Sequence, residues 1–198
     1  ANAIANPGCY PTAASLALTP LVRAQLVEPA GLVVDAVSGV SGAGRPPKPS
    51  NTFCAVDESV VAYGLLDHRH TPEMEFNTGG TVLFTPHLVP MNRGILATCY
   101  GRAAAAAIST DDALNALADF YAGEPFVVVS ERSPSTKDTL GSNTVHLTAR
   151  ADVRTGTVVA IAALDNLCKG ASGAAVQNAN LALGLDETAG LPIVGTYP

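Results

Sequence analysis

The second half of the chain is a succession of short β-strands with few helices between them, and this order restricts how the chain can fold. Segments rich in β-branched residues and bounded by turns predict strands at 81–90, 94–103, 126–132, 143–153 and 155–166. We expect the first two to pair around a short turn, and the last two to pair around 154–156. Strands that follow strands directly favour antiparallel pairing. The sequence therefore predicts an α+β fold with a mixed, largely antiparallel sheet and helices on one face.

The helices are indicated by apolar residues at helical spacing. The pattern predicts a helix over 12–27, which Pro20 is expected to kink, and a capped helix over 109–123. An Ala-rich segment at 165–184 predicts a last helix. With 198 residues, 47% hydrophobic and 14% charged, the chain is expected to form one domain with its own core.

The charge of the chain argues against several classes of partner. The net charge is −6 and the few Lys and Arg residues are scattered, so no basic stripe is available for nucleic acid. The longest apolar segments contain charged or amide side chains within a membrane-spanning length, and the N-terminus lacks the layout of a signal peptide. We expect a soluble cytoplasmic protein that binds neither nucleic acid nor membrane.

Four cysteines lie far apart, at Cys9, Cys54, Cys99 and Cys168. They form no C-x-x-C pair and have no clustered histidines beside them, so no metal site is predicted. A chain of this length does not need a disulfide framework. We interpret the last three cysteines as structural, which leaves Cys9 to be judged by its surroundings.

Cys9 lies in the motif NPGCYPT, between a glycine and a predicted helix. Gly8 allows a sharp turn before it and Pro11 favours the first turn of a helix after it. Free backbone N–H groups and the positive helix end would then favour a thiolate. The alternative is a small buried apolar residue, the usual fate of a free cysteine. The motif alone leaves the two interpretations equally weighted.

A second group of titratable side chains lies in the segment DHRHTPE. His68 and His70 share a face if the segment is extended, and Glu73 is a carboxylate able to orient one of them. One imidazole could then exchange protons with Cys9. The alternative is a polar surface loop.

The predicted strand at 31–38 leads into a Gly- and Pro-rich loop at 38–51 that suits an anion. Its prolines exclude regular structure, so we interpret it as an ordered functional loop or a mobile flap. It offers hydroxyls, backbone N–H groups and a guanidinium, from Ser38, Gly39, Ser41, Gly42 and Arg45.

A second anion-friendly corner joins the last predicted strand to the last predicted helix. Asn166, Lys169 and Gly170 lie at this helix terminus. Arg93 lies in a turn among strand ends, where it is either a turn residue or a contact for an anionic substrate.

Five ordered motifs give the chain a resemblance to a known family. They are NPGCYPTA at 6–13, SGVSGAGR at 38–45, HRHTPE at 68–73, FTPHLVPMNRGI at 84–95 and DNLCKGASGAAVQNANL at 165–181. Together they resemble the N-acetyl-γ-glutamyl-phosphate reductases of arginine biosynthesis. The resemblance implies a fold like the catalytic domains of glyceraldehyde-3-phosphate and aspartate-semialdehyde dehydrogenases.

The resemblance also implies an activity and roles for the candidate residues. Cys9 would attack an acyl phosphate to form a thioester, and NADPH would reduce that thioester to an aldehyde. His68 is favoured for proton transfer, and the expected substrate contacts are His70, Ser38, Gly39, Arg45, Glu73 and Arg93. The expected cofactor contacts are Ser41, Gly42, Asn166, Lys169 and Gly170. A broad sheet face with helices on one side leaves room for contact with a second copy, so we expect the full-length enzyme to be a homo-oligomer.

One part of the family pattern does not occur in this sequence. The family begins with a dinucleotide-binding domain that has a Gly-rich turn after its first strand, and no segment here supplies one. The chain is therefore expected to be a catalytic portion with little turnover alone, whose helix at 165–184 packs toward the cofactor domain. Two alternatives stay open: the related reductase of lysine biosynthesis, with a substrate one methylene longer, and a non-catalytic scaffold domain.

Overall fold

The computed structural model describes residues 3–197, which form one seven-stranded sheet. The strands are β1 (Leu32–Ser38), β2 (Val61–Ala62), β3 (Val82–Leu88), β4 (Ile95–Arg102), β5 (Val127–Val129), β6 (Val145–Asp152) and β7 (Thr157–Leu164). Their order across the sheet is β2-β3-β1-β4-β7-β6-β5. Only β1 with β3 and β5 with β6 run parallel among these pairs, and the other neighbours are antiparallel. The predicted mixed, largely antiparallel sheet is confirmed.

One predicted strand pairing is wrong. The strands β3 and β4 do not pair with each other, because β1 lies between them, parallel to β3 and antiparallel to β4. The connection at 89–94 therefore crosses the end of β1. It bonds there to the loop that follows β1: the N–H groups of Val40 and Ser41 donate to the carbonyls of Met91 and Asn92 at 2.8 and 3.1 Å. A short connection between two strands fits a hairpin or such a crossing, and the local sequence does not distinguish them.

The α-helices of the described residues are α1 (Cys9–Arg23), α2 (Phe53–Val56), α3 (Thr71–Thr78), α4 (Thr110–Phe120) and α5 (Gly173–Leu183). Helix α1 packs against β4 and β7, and α4 packs against β5 and β6. Because α1 also contacts α3 and α4, these three helices lie on the same face of the sheet. Small residues on the buried side of α1, including Ala13, Ala14 and Ala17, allow this helix to lie close to the strands.

Helix α1 begins three residues earlier than predicted, at Cys9 itself, and continues through Pro20 to Arg23. Proline has no N–H, so the carbonyl of Leu16 loses the partner that a helix would give it. The hydroxyl of Tyr121 donates to this carbonyl at 2.8 Å. The proline thus frees an acceptor that ties α1 to the end of α4.

The loop at 38–51 contains more regular structure than its prolines predict. It forms two 3₁₀ turns, at Val40–Ala43 and Pro49–Asn51. Pro49 is the first residue of the second turn, where its missing N–H would have no partner in any case. Further along, Tyr63 directly follows the edge strand β2.

The last strand leads into the final helix through a π-helical turn at Cys168–Ser172. Helix α5 then begins at Gly173, and Gly184 ends it with a φ of 70°, a left-handed conformation that glycine adopts without strain. No helix within 3–197 combines the length and the apolar character that crossing a bilayer requires.

Candidate active site

A cavity of about 560 Å³ lies beside the N-terminus of α1. Helix α1 contributes Cys9 and Tyr10 to its lining. The segment before α3 contributes His68, Arg69 and His70. The loop after β1 contributes Ser38, Gly42, Ala43, Lys48, Ser50 and Asn51. The cavity thus brings together the thiol and both imidazoles that the sequence singled out from segments about sixty residues apart.

Gly8 precedes Cys9 for a reason other than the predicted one. Its φ of −71° is accessible to any residue, so the turn does not need a glycine. A Cβ at Gly8 would instead lie 2.5 Å from Nε2 of His70. The missing side chain lets the imidazole approach the backbone beside Cys9.

The environment of Cys9 differs from the expected thiolate site. Burial raises the pKa of the Cys9 thiol above its ordinary value, while backbone N–H groups and the charge of Arg69 oppose this effect without cancelling it. The backbone N–H groups at the helix end favour the thiolate, as expected, but the effect of burial on the pKa is larger. A buried thiol that has to react needs a proton acceptor nearby.

His68 is held in a defined tautomer. Its Nδ1 accepts a hydrogen bond from the backbone N–H of His70 at 3.2 Å. A neutral ring that accepts at Nδ1 carries its proton on Nε2. Burial, followed by the charge of Arg69, lowers the pKa of His68. The ring is thus neutral at pH 7 and a donor through Nε2.

His70 lies deeper than His68, with the two ring centroids 4.9 Å apart. Burial, then His68 and Arg69, lower the pKa of His70 to about 4. Its Nδ1 is buried and finds no hydrogen-bond partner among residues 3–197. The nitrogen lacks the hydrogen-bond partner that a buried polar atom ordinarily has, in a ring that lines the cavity.

Glu73 does not orient an imidazole, as the sequence had indicated. Its Oε1 accepts a hydrogen bond from the backbone N–H of Gly8 at 3.0 Å. The carboxylate therefore fastens the first turn of α3 to the residue before Cys9. It is not part of the cavity lining, so the predicted substrate contact is replaced by a positioning role.

Some residues of the Gly-rich loop line the cavity, and others hold the loop in place. Ser38 and Gly42 line the cavity, whereas Ser41 accepts a hydrogen bond from Nδ2 of Asn166 at 2.9 Å. A Cβ at Gly39 would lie 2.6 Å from the backbone nitrogen of Arg93, so this glycine permits the two loops to pack. Arg45 lies in a separate surface depression and does not line the Cys9 cavity.

Arg93 is also a scaffold residue. Its Nη2 and Nε lie 2.9 Å from Oδ1 and Oδ2 of Asp165 in a bidentate ion pair. Burial alone would raise the pKa of Asp165, but Arg93 and three backbone N–H groups hold it below its ordinary value. The expected substrate contact is therefore not supported: the guanidinium neutralises a buried carboxylate.

The corner after β7 holds the remaining predicted cofactor contacts. Asn166 is 2% exposed, and its Oδ1 accepts from the N–H of Gly94 at 2.6 Å. Lys169 is 7% exposed and donates to Oε1 of Gln177 at 2.7 Å. Neither side chain lines the cavity. Gly170 does border the thiol, because a Cβ there would lie 2.8 Å from Cβ of Cys9.

Sequence reasoning missed several polar residues of the cavity wall. The hydroxyl of Tyr63 donates to that of Tyr10 at 3.1 Å, and Tyr10 donates to the carbonyl of His87 at 3.2 Å. The sequence reasoning singled out neither Arg69, between the two histidines, nor Lys48, in the loop at 38–51. The signal that could have identified these two residues is their positive charge next to residues already predicted to be functional. Among residues 3–197 no group of His, Cys, Asp and Glu is arranged to hold a metal ion.

The fold has close counterparts among solved structures. Aspartate semialdehyde dehydrogenase II from Vibrio cholerae superimposes with a TM-score of 0.72 at 20% identity, over 91% of this chain and 62% of that one. A likeness at this identity concerns the fold alone. It confirms the expected resemblance to aspartate-semialdehyde dehydrogenases in fold.

The family follows from the sequence. The model of the semialdehyde dehydrogenase dimerisation domain matches residues 9–166, and the chain belongs to this family. Two curated relatives are named N-acetyl-gamma-glutamyl-phosphate reductase. The one from Desulforudis audaxviator is 50% identical and the one from Moorella thermoacetica 47% identical, each over 100% of this chain. The chain spans 59% of the length of each.

Proposed function

We propose that the chain is the catalytic part of an NADPH-dependent reductase that converts N-acetyl-γ-glutamyl phosphate to N-acetylglutamate semialdehyde and phosphate. The reaction belongs to arginine biosynthesis. The observation that carries the proposal is the cavity in which the thiol of Cys9 meets His68 and His70. The names of relatives at 47–50% identity support the choice of substrate.

The first half of the reaction uses the thiol. Cys9 loses its proton, its sulfur attacks the carbonyl carbon of the acyl phosphate, and the bond from that carbon to the phosphate oxygen breaks. Phosphate leaves with the bonding electrons, and a thioester remains on Cys9. Because burial raises the pKa of Cys9, this step depends on a proton acceptor, and the two neutral imidazoles supply candidates.

We assign proton transfer to His68 and substrate contact to His70. In the tautomer that the hydrogen bond from the N–H of His70 favours, His68 would donate from Nε2 and stabilise an oxyanion on the substrate carbon. To accept the Cys9 proton at Nε2, the ring must carry its own proton on Nδ1 and release the N–H of His70. Breaking that single bond costs about 1 kcal/mol, which a catalytic cycle tolerates.

NADPH would supply the hydride that reduces the thioester. Gly42 and Ala43 border the cavity that contains Cys9, and side chains this small leave room for a flat ring. Asn166 braces the loop that carries them by its bond to Ser41. These residues fit one end of the cofactor. We expect the rest of the NADPH-binding site to lie outside this chain.

We also propose two contacts of the larger enzyme. Helix α5 has exposed apolar side chains, with Leu181 and Leu183 at 55% and 73% exposure, and we expect it to pack toward the cofactor domain. On the sheet, Leu83 of β3 is 49% exposed and Val128 of β5 is 40% exposed. We expect a homo-oligomer that covers such apolar side chains.

Turnover of the acyl phosphate by the full-length enzyme tests the function. We expect NADPH oxidation that depends on N-acetyl-γ-glutamyl phosphate and falls by about 10³-fold or more in Cys9→Ser. The 198-residue chain alone should give little or no turnover. Faster reduction of the acyl phosphate that is one methylene longer would transfer the assignment to lysine biosynthesis. No turnover of either substrate by the full-length enzyme would favour a scaffold domain.

A further inference from the structure

The cavity around Cys9 carries positive charge in an acidic protein. The chain has 17 acidic and 11 basic residues, yet Lys48 and Arg69 line the cavity and no Asp or Glu of the described residues does so. The ion pairs within 3–197 use Arg93, Arg132 and Arg154, so neither cavity cation is paired with a carboxylate. Two unpaired cations on one cavity wall indicate a site for anionic groups.

Arg69 lies on the catalytic side of this cavity. It stands between His68 and His70, whose rings both line the same cavity as Cys9. Its charge reaches the thiol, because Arg69 is among the groups that lower the pKa of Cys9. An anion held by Arg69 would therefore occupy the same cavity as the reacting sulfur.

Lys48 lies on a different segment, in the loop after β1. Its backbone N–H donates to Oδ1 of Asn51 at 2.6 Å, and its carbonyl accepts from the N–H of Asn51 at 3.0 Å. Pro49 fixes the start of the 3₁₀ turn between them. This reciprocal bonding holds the backbone of Lys48, which lines the cavity together with Ser50 and Asn51.

We propose that Arg69 and Lys48 form a two-point anion site that sets substrate specificity. Arg69 binds the phosphate of the acyl phosphate, and Lys48 binds a carboxylate at the other end of the substrate. The assignment rests on the proposed function: sulfur attacks the carbon that bears the phosphate, so the phosphate must lie on the side of the cavity that holds Cys9, His68, Arg69 and His70. A substrate with both groups carries a negative charge at each end, and a single cation would not distinguish it from a substrate with only one.

Alkylation of Cys9 tests the charge of the site without any turnover. Iodoacetate and iodoacetamide both alkylate a thiolate with loss of iodide. They differ in charge, because iodoacetate has a carboxylate where iodoacetamide has a neutral amide. We expect Arg69→Gln to lower the ratio of iodoacetate to iodoacetamide rates at Cys9 roughly fivefold, the effect of one charge at about 4 Å in water. Lys48→Met should lower it by a smaller factor, and Arg69→Lys should restore most of the ratio.

Matched controls remove the same charge elsewhere. Arg154→Gln and Lys137→Met change the net charge equally at exposed positions outside the cavity, and we expect the wild-type ratio for both. Circular dichroism of each variant verifies its fold. An unchanged ratio in folded Arg69→Gln, or an equal fall in the controls, would overturn the anion site.

The division of roles is tested on the full-length enzyme in the reverse direction, from aldehyde, inorganic phosphate and NADP⁺. Arg69→Gln should raise the KM for phosphate more than the KM for the aldehyde, and Lys48→Met should do the opposite. The same KM changes in both variants would overturn the division. If the full-length wild type does not turn over, the proposed function fails, while the alkylation ratios still decide whether the cavity is an anion site.

Discussion

Two parts of the site were expected to bind ligands, and they are built in opposite ways. At the corner after β7, Asp165, Asn166 and Lys169 all have protein partners and are 7% exposed or less. On the cavity wall, Nδ1 of His70 has no partner in the described chain, and Arg69 forms none of its ion pairs. The polar groups of the corner hold loops together, whereas on the wall Nδ1 of His70 lacks a hydrogen-bond partner and Arg69 lacks an ion-pair partner within the described chain.

This contrast separates stability from chemistry. A buried polar group whose hydrogen bonds are satisfied stabilises the arrangement of the chain around it. An unsatisfied one costs stability until a ligand supplies the missing bond. Substitutions at the corner are therefore expected to change the free energy of unfolding, and substitutions on the wall to change reactivity.

The largest expected effect is on stability, at the buried ion pair. Asp165→Ala removes the partner of Arg93 and leaves the N–H groups of Gly141, Leu167 and Cys168 without their acceptor. We expect a loss of about 3–5 kcal/mol in the free energy of unfolding, measured by urea denaturation. Lys48→Met, on the exposed wall, should change it by less than about 0.5 kcal/mol. Equal losses in the two variants would contradict the division between corner and wall.

The next effect is a pH dependence of stability that comes from Lys169. Burial lowers the pKa of this amine from 10.5 to about 8, so between these values the unfolded chain binds more protons than the folded one. The wild-type free energy of unfolding should therefore rise with pH across this window, relative to Lys169→Met. The difference amounts to roughly 2–3 kcal/mol. If the free energy of unfolding of the two proteins changed with pH in parallel, burial would not lower the pKa of this amine.

The sequence predicted the parts of the fold that depend on local patterns. The hairpin of β6 and β7 follows from two strand segments around 154–156, and α4 follows from its capping box, in which Ser109 and Asp112 bond reciprocally. The insertion of β1 between β3 and β4 was not predictable in this way. It depends on which strand edges meet in space, and a short connection does not encode that.

The candidate site shows the same division. Cys9, His68 and His70 were identified because their chemistry is unusual wherever it occurs. Arg93 was expected to contact the substrate because the sequence does not show that Asp165 already pairs with it. Arg45 lies in a separate depression, and the sequence of its loop does not show which residues face the cavity. Gly8 was assigned for its backbone freedom, but it is needed for the approach of His70, a contact between distant segments.

The smallest expected effect is spectroscopic and concerns the cavity wall. We expect nitrogen-15 NMR to show His68 as the Nε2–H tautomer at pH 7, and His70 to titrate at about pH 4, well below an ordinary imidazole. Between about pH 6.5 and 4, His70 binds more protons in the unfolded chain than in the folded one. The free energy of unfolding should therefore decrease as the pH falls through this range. Spectra of His68→Gln and His70→Gln assign the signals. A His70 ring that is charged at pH 6 would contradict the burial of its unpartnered nitrogen, and a His68 proton on Nδ1 would remove the hydrogen bond that fixes its role as a donor.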